Sequence, residues 1–161
     1  MVDKHKILLS ILVILMIIVC LIILLTQILT PTSDRKLINL FNKHEELLSL
    51  VVIKLEKTEY ENINITKSEF EDNMYVQDDA NYVGKTIKIN DSILLKNIQK
   101  LFKSNFEIIR KDKDIIYFQV YSNRDIGKGI MYCHREKTPN KIEGIIELTP
   151  INDNWYIYEE R

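Results

Sequence analysis

From Ile7 to Leu25 the chain reads ILLSILVILMIIVCLIILL without a single charge, and Thr26 and Gln27 lead from it into Ile28 and Leu29. A helix over these residues would be about 34 Å long, against a bilayer hydrocarbon core of about 30 Å. It would leave no backbone polar group unpaired in lipid and no charge to desolvate. The sequence therefore predicts a transmembrane signal-anchor over residues 7–29, preceded by a short cytoplasmic tail, 1–6, and followed by a linker, 30–33, and a soluble domain, 34–161. A cleaved signal peptide would share the positive start at Lys4, His5 and Lys6. The apolar run, however, exceeds the usual h-region of about 7–15 residues, and no A-x-A-like site follows it. Cys20 lacks the preceding small residue that lipid attachment needs, since Val19 stands there. Lys4 and Lys6 are balanced by Arg35, Lys36 and Lys43 across the segment, so charge orients it weakly. The short tail places the domain outside the cytoplasm, on a single-pass protein of the cell membrane.

Beyond the apolar head the 161-residue chain has room for one domain with its own core. Its net charge is −1 with both signs interleaved, so no basic field is available for nucleic acid. Ala80 is the sole alanine among abundant Ile, Lys and Asn, a bias typical of AT-rich bacterial genomes. Cys133 is the one thiol of the domain, so the fold rests on its core and not on an internal disulfide.

Leu37, Leu40, Phe41, His44, Leu47, Leu48, Val51, Val52 and Leu55 recur at helical spacing and predict an amphipathic helix starting near Ser33 and Asp34. A second helix follows a cap at Asn90 or Asp91 and runs to about Lys103, with Leu94, Leu95, Ile98, Leu101 and Phe102 on one face. The stretch between them reads as polar and irregular, with short β-like runs at Ile63–Thr66, Met74–Gln77 and Thr86–Ile89. The C-terminal third carries β-branched and aromatic runs at Phe106–Arg110, Ile115–Ser122, Gly129–His134, Ile145–Thr149 and Trp155–Glu159, separated by turn-forming residues. The predicted fold is α+β: an N-terminal transmembrane helix, then two helices on a mainly antiparallel meander of four to five strands.

Gly129-Ile130-Met131-Tyr132, Pro139, Leu148 and the terminal Trp155-Tyr156-Ile157-Tyr158-Glu159-Glu160 resemble the end of small membrane-anchored proteins of the Firmicutes. The resemblance covers about the last third of the chain. It implies a bacterial protein and a fold boundary, and no activity.

Three arrangements invite a chemical reading. His44-Glu45-Glu46 begins like a helical zinc-protease motif, but Leu48 stands where the second histidine is needed to grip the metal. Gly84-Lys85-Thr86 ends like a phosphate-binding loop, but Asp79 replaces the partner glycine and would repel phosphate. Cys133 and His134 are sequence neighbours, which a strand points to opposite faces, so they cannot form a nucleophile–base pair across the sheet. No catalytic, cofactor or metal residue is assigned.

The tyrosines remain. On the strand after Ile115, Tyr117, Gln119 and Tyr121 share one face, and Tyr132 with either Trp155 or the pair Tyr156 and Tyr158 could join them. The candidate partner face is Tyr117, Tyr121, Tyr132, Tyr156 and Tyr158, since tyrosine combines contact area with a satisfiable hydroxyl. The function expected is a non-catalytic, membrane-anchored interaction module outside the cytoplasm, of immunity-like type. Its partners would be the bilayer through residues 7–29 and a protein or cell-wall component at the membrane surface, with no nucleic acid and no cofactor. The alternatives are a small anchored hydrolase whose carboxylates meet only on folding, and an accessory subunit of a membrane complex.

Overall fold

In the computed structural model the described residues are 11–21, 32–70, 73–78, 83–122, 126–134, 142 and 144–161. The chain divides into two compact units, Met1–Pro31 and Thr32–Arg161. In the first, residues 11–21 form helix α1 with every residue exposed. Eleven residues rise about 16 Å, roughly half of a bilayer core. Among the described residues no helix is long and apolar enough to cross a membrane. On that ground the transmembrane anchor expected over 7–29, and the single-pass, cell-membrane location drawn from it, are corrected. Residues 1–10 and 22–31, which hold the expected tail and both ends of that segment, lie outside the described residues.

The second unit is α+β and carries one eight-stranded antiparallel sheet. Helix α2 spans Asp34–Glu56, followed by β1 (Asn62–Thr66), a short 3-10 turn, β2 (Asn73–Asp78) and β3 (Val83–Lys88). Helix α3 (Ser92–Lys103) leads into β4 (Ile108–Asp112), β5 (Ile115–Ser122), β6 (Gly127–Cys133), β7 (Ile145–Asn152) and β8 (Trp155–Glu160). The strand order β3-β2-β1-β4-β5-β6-β8-β7 places two units side by side. The first is α2 with three strands, β1 to β3, and the second is α3 with five, β4 to β8; their first strands, β1 and β4, pair with each other.

The expected sheet of four to five strands is thus corrected to eight. The three β-like runs of the polar stretch are β1 to β3, and they join the same sheet as the C-terminal runs. The meander is also broken at its end, because β8 and not β7 pairs with β6. Pro150 explains the exchange: it lacks the N–H that an interior strand must donate, so β7 takes the edge, while Trp155 to Tyr158 of β8 are buried.

Both domain helices pack on one sheet face. Helix α2 buries Leu37, Phe41, Leu48, Val51, Val52 and Leu55, the stripe that its three-and-four spacing dictates. Helix α3 is capped by Asp91, whose carboxylate accepts from the N–H groups of Ile93 at 2.9 Å and Leu94 at 3.0 Å. It ends at Asn105, which takes the left-handed conformation (φ 72°). Trp155 fills the centre of the layer, 5.2 Å from the Phe41 ring and 6.0 Å from that of Phe118.

Two lysines anchor α2 at its ends. Lys128 of β6 lies 2.8 Å from Asp34 in the first turn. Lys111 of β4, a buried residue, donates to the carbonyls of Leu55 at 2.9 Å, in the last turn, and Tyr60 at 2.8 Å, just beyond the helix.

Two predictions follow from the packing. Gly129 lies where the β5–β6 register shifts, and a Cβ there would collide with the Phe118 carbonyl oxygen. Gly129→Ala is expected to cost about 1–3 kcal/mol in denaturant unfolding, because backbone cannot yield as a side-chain end can. His44 lies against Phe106, its Nε2 is buried without a partner among the described residues, and burial, then Lys43, lowers its pKa below 6.5. The unfolded state therefore binds the proton first as pH falls through 6.5, and stability is lost on acidification. Unfolding at pH 7.5 and 5.5 should show a larger loss for the native chain than for His44→Leu; equal losses would exclude this role for His44.

Candidate functional site

Cross-strand partners in an antiparallel sheet project from the same face. The register runs Thr86–Tyr75–Asn64–Arg110–Tyr117–Met131–Tyr156–Pro150, a row spanning all eight strands. This row lies opposite the helices, since Ile63, Ile65, Ile109, Ile116 and Phe118, at alternate positions, lie in the helix-side core. The face has two halves of different character.

Over β5 to β8 it is filled. Tyr117, Met131, Cys133, Tyr156 and Tyr158 form a second apolar cluster, with Ile115, Ile142, Ile145 and Leu148 packed against it. The structure thus brings three of the five candidate tyrosines together, but buries them: Tyr117 is 3% exposed, Tyr156 6% and Tyr158 0%. Tyr132 is on the other face, half-buried, its ring 5.1 Å from Trp155. Tyr121 lies in β5, and its side chain is outside the described residues. Burial pushes the Tyr117 phenol up to about 12 against the opposing pull of Arg110, and burial raises Tyr158 further. Both phenols stay neutral near pH 7, so neither serves as a base.

Over β1 to β4 the face is open and polar. Asn62, Asn64, Tyr75, Arg110, Asp112 and Lys113 surround a depression of about 440 Å³. A second of about 180 Å³, bordered by Thr66, Asn73 and Thr86, shares Asn64 and Tyr75 with it. Tyr75 is 45% exposed, and its hydroxyl lies over Gly84 of β3, where a Cβ would collide with it.

Arg110 stands at the seam between the halves. Its guanidinium carbon is 4.3 Å from the centre of the Tyr117 ring. Nη2 donates to Glu160 Oε2 at 2.6 Å, and Nη1 approaches Oε1 at 3.4 Å. Stacking below and a carboxylate alongside fix the planar group, while its outer edge borders the open half.

A further depression of about 390 Å³, which shares Lys111 and Lys113 with the 440 Å³ one, is bordered also by Glu56, Glu61, Asp114 and His134. His134 Nδ1 lies 3.2 Å from Glu56 Oε1, whereas the neighbouring Cys133 is buried in the aromatic cluster, so the two part as alternation requires. Among the described residues no group of three or more His, Cys, Asp or Glu is arranged to hold a metal ion.

Asn62, Asn64, Tyr75 and Arg110 escaped the sequence reading. Their signal was the alternation in Asn62-Ile63-Asn64-Ile65-Thr66 and Asn73-Met74-Tyr75-Val76-Gln77, which sorts polar residues from buried ones at period two. No protein-family model, curated protein or solved structure matches the chain.

The Tyr158 hydroxyl is buried and has no hydrogen-bond partner among the described residues. An unpaired buried hydroxyl costs about 1–3 kcal/mol, so Tyr158→Phe is expected to raise unfolding stability by about 1 kcal/mol. A loss of that size in chemical denaturation would show instead that the hydroxyl is satisfied.

Proposed function

We propose that Thr32–Arg161 is a non-catalytic interaction module that holds a protein partner on the open half of the sheet face turned away from the helices. The observation carrying this reading is the depression around Asn64, Tyr75 and Arg110, built on strands and not on loops. Tyrosine and arginine are the residue types that dominate binding energy at protein interfaces, and side chains already held in place lose little freedom on binding. Arg110 is held by Glu160 and Tyr117 before any partner arrives. The filled half stiffens the platform without offering contact area of its own.

A photo-crosslinking residue at position 64 should capture one discrete protein, and the same residue at position 99, on the exposed side of α3, should not. Tyr75→Ala should then weaken binding of that protein about thirtyfold, the effect of losing about 2 kcal/mol at a central contact. Equal capture at both positions, or an unchanged Kd in Tyr75→Ala with native thermal stability, would refute the reading.

The hydrolase alternative draws on one observation, the Glu56–His134 contact beside the 390 Å³ depression, where a carboxylate could orient an imidazole. Ester hydrolysis lost in both Glu56→Gln and His134→Ala would favour it over binding.

A further inference from the structure

The two edges of the sheet are built differently. The β7 edge carries Pro150 and two register shifts, at Ile145/Glu147 and at Pro150/Asn152, which spoil it as a template for another strand. The β3 edge has neither. It runs in unbroken register with β2 from Asp78↔Val83 to Asn73↔Lys88, and among the described residues no strand lies on its other side. Residues of an antiparallel strand direct their N–H and C=O groups alternately to one neighbour and the other, so about three of the six residues of β3 present theirs outward.

We infer that this edge accepts an extended acidic segment of a partner protein as a ninth strand. The charge of the edge selects the partner. Val83-Gly84-Lys85-Thr86-Ile87-Lys88 contains two lysines and no acid, and β2 contributes one carboxylate, Asp78, at its far end. Lys85 and Lys88 are both exposed and, being of opposite parity, flank the edge on the two sheet faces. A second copy of β3 would bring four lysines together and is repelled, and a neutral strand offers no counter-charge to Lys88 or to Lys85, whose ammonium lies 5.6 Å from the centre of the Tyr60 ring. A strand with glutamate or aspartate on both faces neutralises both. Tyr75 adds a contact: its ring reaches over Gly84, so the outer face at the edge offers an aromatic surface to the incoming side chains.

This surface borders the open face but goes beyond the reading given above, and the two fail separately. The probe is a capped peptide of about ten residues built from Glu-Glu-Val-Val repeats, which puts glutamates on both faces of a strand, titrated into the isotope-labelled full chain, with its Lys-Lys-Val-Val counterpart as control. The acidic peptide should shift and protect alternate amides of Val83–Lys88, and its binding should weaken with salt. The charge reversal Lys85→Glu with Lys88→Glu should reverse the preference between the two peptides by at least tenfold. Lys85→Pro and Thr86→Pro provide a backbone test: one of these adjacent N–H groups points into β2 and the other away. The variant that keeps the native melting temperature should lose binding at least tenfold.

The inference is overturned if the acidic peptide leaves the β3 amides unperturbed, if both peptides bind equally, or if a folded proline variant binds as the native chain does. Should both proline variants unfold, the charge reversal alone decides. Arg110→Ala, which alters the open face, should leave peptide binding at β3 unchanged; peptide binding lost in that variant would also count against the edge. Capture at position 64 that survives failure of the peptide experiments would leave the open-face reading standing alone.

Discussion

The pairing of β1 with β4 is the junction on which the rest of the domain depends. Five residue pairs, from Asn62↔Asp112 to Thr66↔Ile108, join the three strands that follow α2 to the five that follow α3 in one sheet. Because strand side chains alternate, this register decides what each layer receives. It directs Ile63, Ile65 and Ile109 beneath the helices, and Asn62, Asn64 and Arg110 to the opposite face. A slip of one residue would bury Arg110 among apolar side chains and expose Ile109. The consequence travels further along the row, since Arg110 also grips Glu160 of β8, two strands beyond its neighbour β5. One short pairing thus sets both the core and the open face.

The same register supplies one of the ties that hold α2. Lys111 projects to the helix side one position after Arg110 and takes the carbonyls of Leu55 and Tyr60. At the other end Lys128 lies between Asp34 and Glu159, at 2.8 and 3.3 Å. Removing a lysine from water is costly, and the compensating contacts leave little net stability. What such pairs contribute is position. Apolar stripes tolerate sliding along a sheet, whereas two directional contacts, one at each helix end, fix both the axial placement and the tilt. Burial lowers the Lys111 pKa while Glu56, Glu61 and Asp114 oppose the shift, so nearby carboxylates offset part of the cost of keeping that charge inside.

How much of this is legible in the sequence depends on how local each signal is. The α2 stripe and the Asp91 cap are local, and both emerge where spacing and capping chemistry place them. Strands β4 to β8 announce themselves by β-branched and aromatic runs. Strands β1 to β3 show only as short β-like runs within a polar stretch, because half of each strand faces the open polar surface. The alternation around Ile63 and Ile65 and around Met74 and Val76 marks the runs, but over too few residues to place them in one sheet with β4 to β8. The placement of Tyr117, Tyr156 and Tyr158 on one face follows from period two. Their burial does not, because it depends on Ile115, Ile142, Ile145 and Leu148 packing against them, residues that the sheet pairing and tertiary arrangement bring together. Lys111 and Lys128 read in the sequence as ordinary surface charges. The apolar head shows the converse case, a composition long enough for a span of which the structure describes one helix of eleven residues, 11–21.

The division of the outer face into a filled and an open half gives the two ends of the sheet different work. On the β7 side, a proline-bearing edge and a neutral aromatic cluster close the structure to further strands and to solvent. On the β3 side there is a regular edge, an exposed tyrosine and a lysine on each face, and among the described residues no apolar cluster covers the outer face there. A domain stabilised only by its core could have filled both halves alike. Arg110 is the residue that stops the filling: its charge must keep access to water or to a counter-ion, so the aromatic layer ends where Tyr117 stacks beneath it. Glu160 neutralises that charge from the closed side, which lets the guanidinium lie flat at the seam instead of reaching outward. The open face therefore begins at a fixed, oriented group, and its boundary is set by electrostatics more than by shape.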